Sequence, residues 1–348
     1  MMDREKVRAA FGNPREFTTS PLYRRLSRTV AATDQLLSLA CLGRPGQYPT
    51  FLFFGAVHRL LLAGADHPLA KFFPSIAGDA AHPPDSGAGR ALVSFCAQFE
   101  AELAETISTR LVQTNHVQRS FGLRLGLSVI AGEVPGATHL IEVGASAGLN
   151  LRFDRYGYHV GGRRYGDLSS PVQLEAESYG RVRLPGLDAL PEIASVLGVD
   201  LHPVDVTDPA ERAWLEALIW PENHRQRALL GAALELAAAD PPPMLAGDAI
   251  DVLPGVGIAL PAGESRVVFH CATRMHVPED RREAFDAAIA RLGETGPLWW
   301  LSVEGAPGVD PRPRPRRPGP ILQLRRPGAA TEPVAVVDGH LEWIEMLA

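Results

Sequence analysis

The sequence predicts an α/β protein in which a helical first third precedes a layered, mostly parallel sheet that ends in an antiparallel hairpin. Three observations carry that expectation. From about residue 20 to residue 130, apolar residues recur at steps of three and four, the period of an amphipathic helix. After Pro135, short apolar runs of strand length alternate with helical stretches, the mark of a layered α/β sheet. The last two such runs follow one another with no helix between them, which calls for an antiparallel pair. The expected boundaries are residues 1–134 for the helical domain, a lid or substrate domain, and 135–348 for the sheet domain, with an insertion at about 155–222.

Taken in order, the clearest helical face lies in Ala91 to Gln113, where Leu92, Phe95, Cys96, Phe99, Leu103, Ile107 and Leu111 fall on one side. Breaker-rich loops, CLGRPGQYP near residue 45 and AGDAAHPPDSGAG near residue 83, separate the helices. The predicted strands are His139–Val143, Val172–Glu175, Met244–Ala246, Arg266–Phe269, Leu298–Val303, Ile321–Leu324 and Val334–Val337. Helices are expected at His224–Ala239 and Pro278–Leu292, and Tyr156 and Tyr158 flank a short hairpin. Gly308 to Pro320, rich in proline and arginine, reads as a surface connection between strands.

Composition narrows the classes of function. A chain of 348 residues with 46% hydrophobic and 21% charged residues can bury a sizeable core, and a net charge of -6 disfavours nucleic acid and anionic membranes as partners. Cys41, Cys96 and Cys271 form no closely spaced pair, so neither a disulfide scaffold nor a sequence-local metal site is expected. The charged N-terminus and the lack of a long apolar run point to a cytoplasmic protein, monomeric or homodimeric.

The stretch HLIEVGASAGLNLRFD, His139 to Asp154, carries the chemistry. Ile141-Glu142-Val143 reads as the end of a buried strand, and Gly144 stands where the chain turns toward the next helix. Ala145, Ser146 and Ala147 keep the turn thin, and Gly148 opens a helix, leaving room for a ligand against backbone. A dinucleotide fingerprint would need glycine at positions 146 and 149, where serine and leucine stand, which counts against a nicotinamide-dependent oxidoreductase. Glu142, Gly144 and Gly148 instead form E-x-G-x-x-x-G, which resembles the first motif of class I S-adenosylmethionine-dependent methyltransferases.

That resemblance implies a Rossmann-like methyltransferase sheet with S-adenosylmethionine as cofactor. By it, Gly144 to Gly148 wrap the methionine part of the cofactor and Glu142 holds its ammonium group. In MLAGDAIDVLP, Asp248 would accept the adenine amino group and the backbone of Ala249 would face the ring; Asp248 also suits a helix cap. The ribose acid is Asp200, at the end of VLGVD, or else Glu175 or Glu177.

Over nearly its full length the chain also resembles a bacterial family of unknown function with a methyltransferase-like domain. SPLYRRL, HPLAKFFPS, TRLVQTNHVQR, EVGASAGLNLRFDRYGY and GVDLHPVDVTDPAERAWLEALIWPE carry that likeness. The resemblance to class I methyltransferases, rather than to this family, places the segment VVFHCATRMHVP beside the reactive methyl, which nominates His270 as general base. Asn115, His116, Trp220 and His276 are candidates for contact with a small-molecule acceptor, for O- or N-methylation. A regulatory protein that keeps the nucleoside pocket without catalysis is the alternative.

Overall fold

A computed structural model describes every residue except 14, 16, 306–314 and 348, so most of the proline- and arginine-rich stretch lies outside the described residues. The chain divides into two units, Met1–Thr114 with Asp208–Gly231, and Asn115–Thr207 with Ala232–Ala348.

The first unit is helical, built from α1 (Arg4–Gly12), α2 (Pro21–Ala32), α3 (Asp34–Ala40), α4 (Pro49–Leu62), α5 (Pro74–Ala77), α6 (Ser86–Gln98) and α7 (Glu100–Thr109). It also takes in α9 (Pro209–Ala217) and the start of α10 (His224–Ala239). Its core is aromatic: Tyr23 stacks on Phe54 at 4.5 Å, and Phe17 meets Phe54 edge-on at 5.5 Å. The segment 208–231 joins this unit because Glu222 accepts from Ser20 Oγ and the Leu22 amide, and Trp214 Nε1 donates to the Leu111 carbonyl. The single helical face expected over Ala91–Gln113 is broken at Phe99 (φ -114, ψ 31), where Glu100 and Glu102 begin a fresh helix N-terminus.

The second unit holds an eleven-stranded mixed sheet in the order β3-β2-β4-β11-β10-β9-β8-β7-β1-β5-β6. Its strands are β1 (Thr138–Val143), β2 (Gly157–Val160), β3 (Arg163–Gly166), β4 (Gln173–Tyr179), β5 (Ile193–Asp200), β6 (Met244–Ala246), β7 (Ser265–Cys271), β8 (Leu298–Glu304), β9 (Ile321–Arg325), β10 (Thr331–Val337) and β11 (Trp343–Met346). From β1 the chain proceeds outward to β5 and β6, then returns to β7 and β8 on the other side, with all these neighbours parallel. The order therefore reverses at β1, and in such sheets ligands bind outside the carboxyl ends of the strands at the reversal. Beyond β8 the sheet continues as an antiparallel meander through β9, β10 and β11. The sequence reading lacked β11, which pairs in parallel with β4 and so brings the β2–β3 hairpin into the same sheet.

Helix α8 (Ser120–Ile130), expected with the helical domain, belongs to the sheet unit. Its Gly122 and Gly126 lie directly against Val303 and Leu301 of β8, a closeness that larger side chains would prevent. The opposite face is covered by α11 (Ala249–Ala259) and α12 (Arg282–Arg291), whose Leu253, Phe285 and Ile289 form one buried cluster with Ile141, Val143 and Val268. Gly148 does not open an α-helix. It leads into a 3-10 segment, Leu149–Arg155, with Arg152 out of helical geometry. Buried Tyr156 and Tyr158 donate to the Leu149 and Phe153 carbonyls, taking up acceptors that a continuing helix would use. Among the described residues no helix is long and apolar enough to cross a membrane.

Candidate functional site

At the end of β1 the backbone turns with positive φ at Gly144 (74°), Ser146 (52°) and Gly148 (65°). The Gly144 amide donates to the Val199 carbonyl at 2.8 Å, and the Ser146 amide donates to Asp200 Oδ2 at 2.8 Å, fastening the turn to the end of β5. Asn115 Nδ2 donates to Ser146 Oγ at 3.0 Å, so this candidate acceptor contact reaches the turn itself. Ala145 is buried within the turn. The expectation that both glycines keep space for a ligand needs correction. A Cβ at Gly144 would collide with the Thr273 side chain, and one at Gly148 would lie 2.6 Å from Pro242 Cγ. Backbone angle and the protein's own close packing demand glycine at both positions.

Glu142 lies beneath this turn, 2% exposed. Asn150 Nδ2 donates to its Oε1 at 2.6 Å, whereas Oε2 is buried with no hydrogen-bond partner among the described residues. Burial pushes the Glu142 pKa up to about 8, the Asn150 bond opposes the rise, and the Asp200 charge adds to it. Arg119 Nε is likewise buried and without a partner among the described residues. An open carboxyl oxygen at the carboxyl end of the central strand suits a ligand cation that carries N–H donors.

The three candidate ribose acids are now separated. Glu175 and Glu177 are exposed on β4, which β11, β10, β9, β8 and β7 separate from β1. Asp200 ends β5, immediately beside β1; besides Ser146, it accepts from the His202 amide at 2.9 Å. One strand further out, Asp248 caps α11 by accepting from the Ile250 amide at 3.0 Å, and Arg281 Nη1 donates to its other oxygen at 2.9 Å. Ala249 is the buried first residue of that helix.

The remaining candidates scatter. His116 stacks on His340 at 4.0 Å, and burial together with the charges of His340 and Arg119 holds its pKa well below the ordinary histidine value. Trp220 packs edge-on against Phe17 in the aromatic core of the helical unit, so its ring has a structural occupation. His276 closes an exposed 3-10 turn after β7.

His270, 1% exposed, sits in β7 and faces the opposite side of the sheet from Glu142, against Phe285 of α12. Its Nδ1 pairs with Glu304 Oε1 at 2.8 Å, and the same oxygen accepts from the amides of Thr273 and Arg274 at 2.8 and 2.9 Å. Burial acts to raise the Glu304 pKa, but the bond and charge of His270 with the two amides outweigh it, leaving this carboxyl below its ordinary value. An ionised Glu304 accepts only, so His270 Nδ1 carries a proton and donates to it. His270 Nε2 is buried and without a partner among the described residues. His270 and Glu304 line a cavity of about 500 Å³ that runs under α12 from Trp300 and Arg325 to Gly305 at the carboxyl edge of β8.

The sequence reading missed Glu304, Asn150 and Thr273. For Glu304 a signal existed: in LWWLSVE, Trp300, Ser302 and Glu304 share one face of a strand, so the acid falls at a position that neighbours must satisfy.

Among solved structures, the chain is similar to one titled "DhpI-SAM-HEP complex", at 14% identity over 73% of this chain and 84% of that chain, with a TM-score of 0.26. A likeness of that degree carries no argument about ligand or activity. No curated protein matches. The family model described as "Uncharacterized protein conserved in bacteria (DUF2332)" matches residues 6–346, and the chain belongs to that family.

Proposed function

We propose that the chain binds S-adenosylmethionine at the carboxyl edge of β1 and β5 and methylates a small molecule. The observation that carries this reading is Glu142, a buried carboxyl with one oxygen open beneath a positive-φ turn at the reversal of strand order. The residues present fit the cofactor's polar groups in kind. Glu142 offers an oxygen to an ammonium, and Asp200, which accepts the Ser146 and His202 amides, is a carboxylate of the kind that accepts from ribose hydroxyls. Asp248 stands at the neighbouring strand's end for an adenine amino group.

When bound, the cofactor supplies an electrophilic methyl group. The protein's own tasks are then to align the acceptor, exclude water and take up a proton. His270, with Nδ1 held by Glu304, presents Nε2 as the base for that proton.

Calorimetric titration of the full chain with S-adenosylhomocysteine and with NADH tests the reading. Binding of the first and not the second is expected, and the reverse pattern overturns it. With S-adenosylmethionine and an accepted substrate, His270→Ala should keep S-adenosylhomocysteine affinity while losing roughly 10²–10⁴-fold in rate at neutral pH. A folded variant of normal rate removes His270 from the chemistry.

A further inference from the structure

We propose that the cavity beneath α12 binds a small hydroxy acid whose hydroxyl is hydrogen-bonded to His270 Nε2 and whose carboxylate is held by Arg325. Three requirements of the cavity wall converge on that class. First, His270 Nε2 is buried without a partner among the described residues, and a hydroxyl, which can both donate and accept, satisfies it. Second, Trp300 Nε1 is a donor, also buried without a partner among the described residues, and needs an acceptor atom. Third, the charges do not cancel. Arg274 is matched by Asp286 through two bonds of 2.8 and 2.7 Å, and Glu304 is matched by His270 and two amides. Arg282 and Arg325 have no carboxylate partner among the described residues, which leaves the wall cationic.

Register fixes where the two ligand groups lie. His270 is level with Ser302 and Ser302 with Gln323, while Arg325 pairs with Trp300, two residues nearer the other end of the strands. Two strand spacings separate His270 from Arg325 across the sheet, roughly 10 Å between backbones, so the hydroxyl and the carboxylate belong at opposite ends of the ligand. A volume of about 500 Å³ admits a molecule of one or two rings. The inference names the acceptor for the methyl-transfer reading and rests on that reading for the pocket's role, but binding is testable without the cofactor.

The full chain is titrated calorimetrically with 4-hydroxybenzoate, benzoate and 4-hydroxybenzamide, with no cofactor present. The first should bind, and loss of the hydroxyl or of the charge should weaken binding about tenfold or more. Arg325→Gln should weaken 4-hydroxybenzoate about tenfold and leave 4-hydroxybenzamide unchanged, while Trp300→Phe should weaken both probes. Should His270→Ala fail to fold, these two variants still decide the matter. Equal affinity for the three probes, no heat at about 10 mM, or indifference to Arg325→Gln overturns the inference. Binding of S-adenosylhomocysteine without 4-hydroxybenzoate removes the pocket and keeps the cofactor site; the converse removes the cofactor site and keeps the pocket.

Discussion

Glu142 and Glu304 are two carboxyls buried to nearly the same extent, 2% and 7% exposed, near the ends of β1 and β8. Their electrostatics are opposite. Glu304 receives His270 and two backbone amides on one oxygen and sits below its ordinary pKa; Glu142 receives Asn150 alone and rises to about 8. Burial is common to both, so the number of donors decides which acid is charged in the folded protein. Glu304 orients its neighbours through those bonds, whereas Glu142 keeps one buried oxygen without a partner among the described residues.

The comparison breaks first, and most visibly, at Glu304. Glu304→Ala orphans the Thr273 and Arg274 amides and releases His270 Nδ1, so a loss of about 3–5 kcal/mol in urea unfolding is expected at neutral pH. The sign with pH follows from the depressed pKa. The contribution of Glu304 is present above the unfolded carboxylate value and is lost as pH falls through the folded one, so variant and parent converge in acid. A cost under about 1 kcal/mol at neutral pH would show that the three bonds do not set the charge.

Gly144→Ala tests the turn between the two acids. A positive φ and a collision with Thr273 together predict a loss of about 2–4 kcal/mol. Thr273→Gly in the same chain should recover the steric part and leave about 1 kcal/mol of backbone strain. Unfolding of the two singles and the double measures the coupling. Additive losses would mean that Thr273 does not press on the turn. For the same reason Gly144→Val, which at first sight should remove the ligand and spare the fold, instead reports on packing.

Much of this was legible because local pattern and burial coincide. β1 and β6 to β10 announce themselves as apolar runs, and Asp248 announces a cap by preceding a helical stretch. What was not legible depends on distant partners. Trp220 read as a pocket residue, but Glu222 is tied to Ser20 across 202 positions and brings its segment into the helical core. β11 is four residues long and is a strand because β4 and β10 flank it. The opposite placement of Glu142 and His270 follows from strand parity in two different strands, which only the register between them reveals.

Glu142→Gln sharpens the other half of the comparison. The folded pKa lies above the unfolded one, so the native state is favoured while Glu142 is protonated and loses that advantage as pH rises through about 8. An amide removes this penalty but buries an amino group of its own, for a net gain of about 1–2 kcal/mol at alkaline pH and none in mild acid. Thermal unfolding across that range measures it. Binding should move the other way: Glu142→Gln weakens S-adenosylhomocysteine, and in the parent calorimetry in buffers of different ionisation heats should detect a proton released as Glu142 ionises against the ligand ammonium. No proton release would mean that Glu142 does not meet the cation.

The smallest effect on stability is expected at Asp248, where two roles coincide. As the cap of α11 it accepts from Ile250, and Arg281 shares its other oxygen at a half-exposed ion pair. Asp248→Ala should therefore cost about 1 kcal/mol in unfolding, nearly all of it from the cap. Asp248→Asn separates the roles, because an asparagine caps equally well and keeps one oxygen acceptor while dropping the charge. If the carboxylate accepts the adenine amino group, alanine should weaken S-adenosylhomocysteine by about 1–3 kcal/mol and asparagine by less, with stability restored. An alanine variant that unfolds more easily yet binds with unchanged affinity would leave Asp248 as a cap and place adenine recognition elsewhere along the edge of β5 and β6.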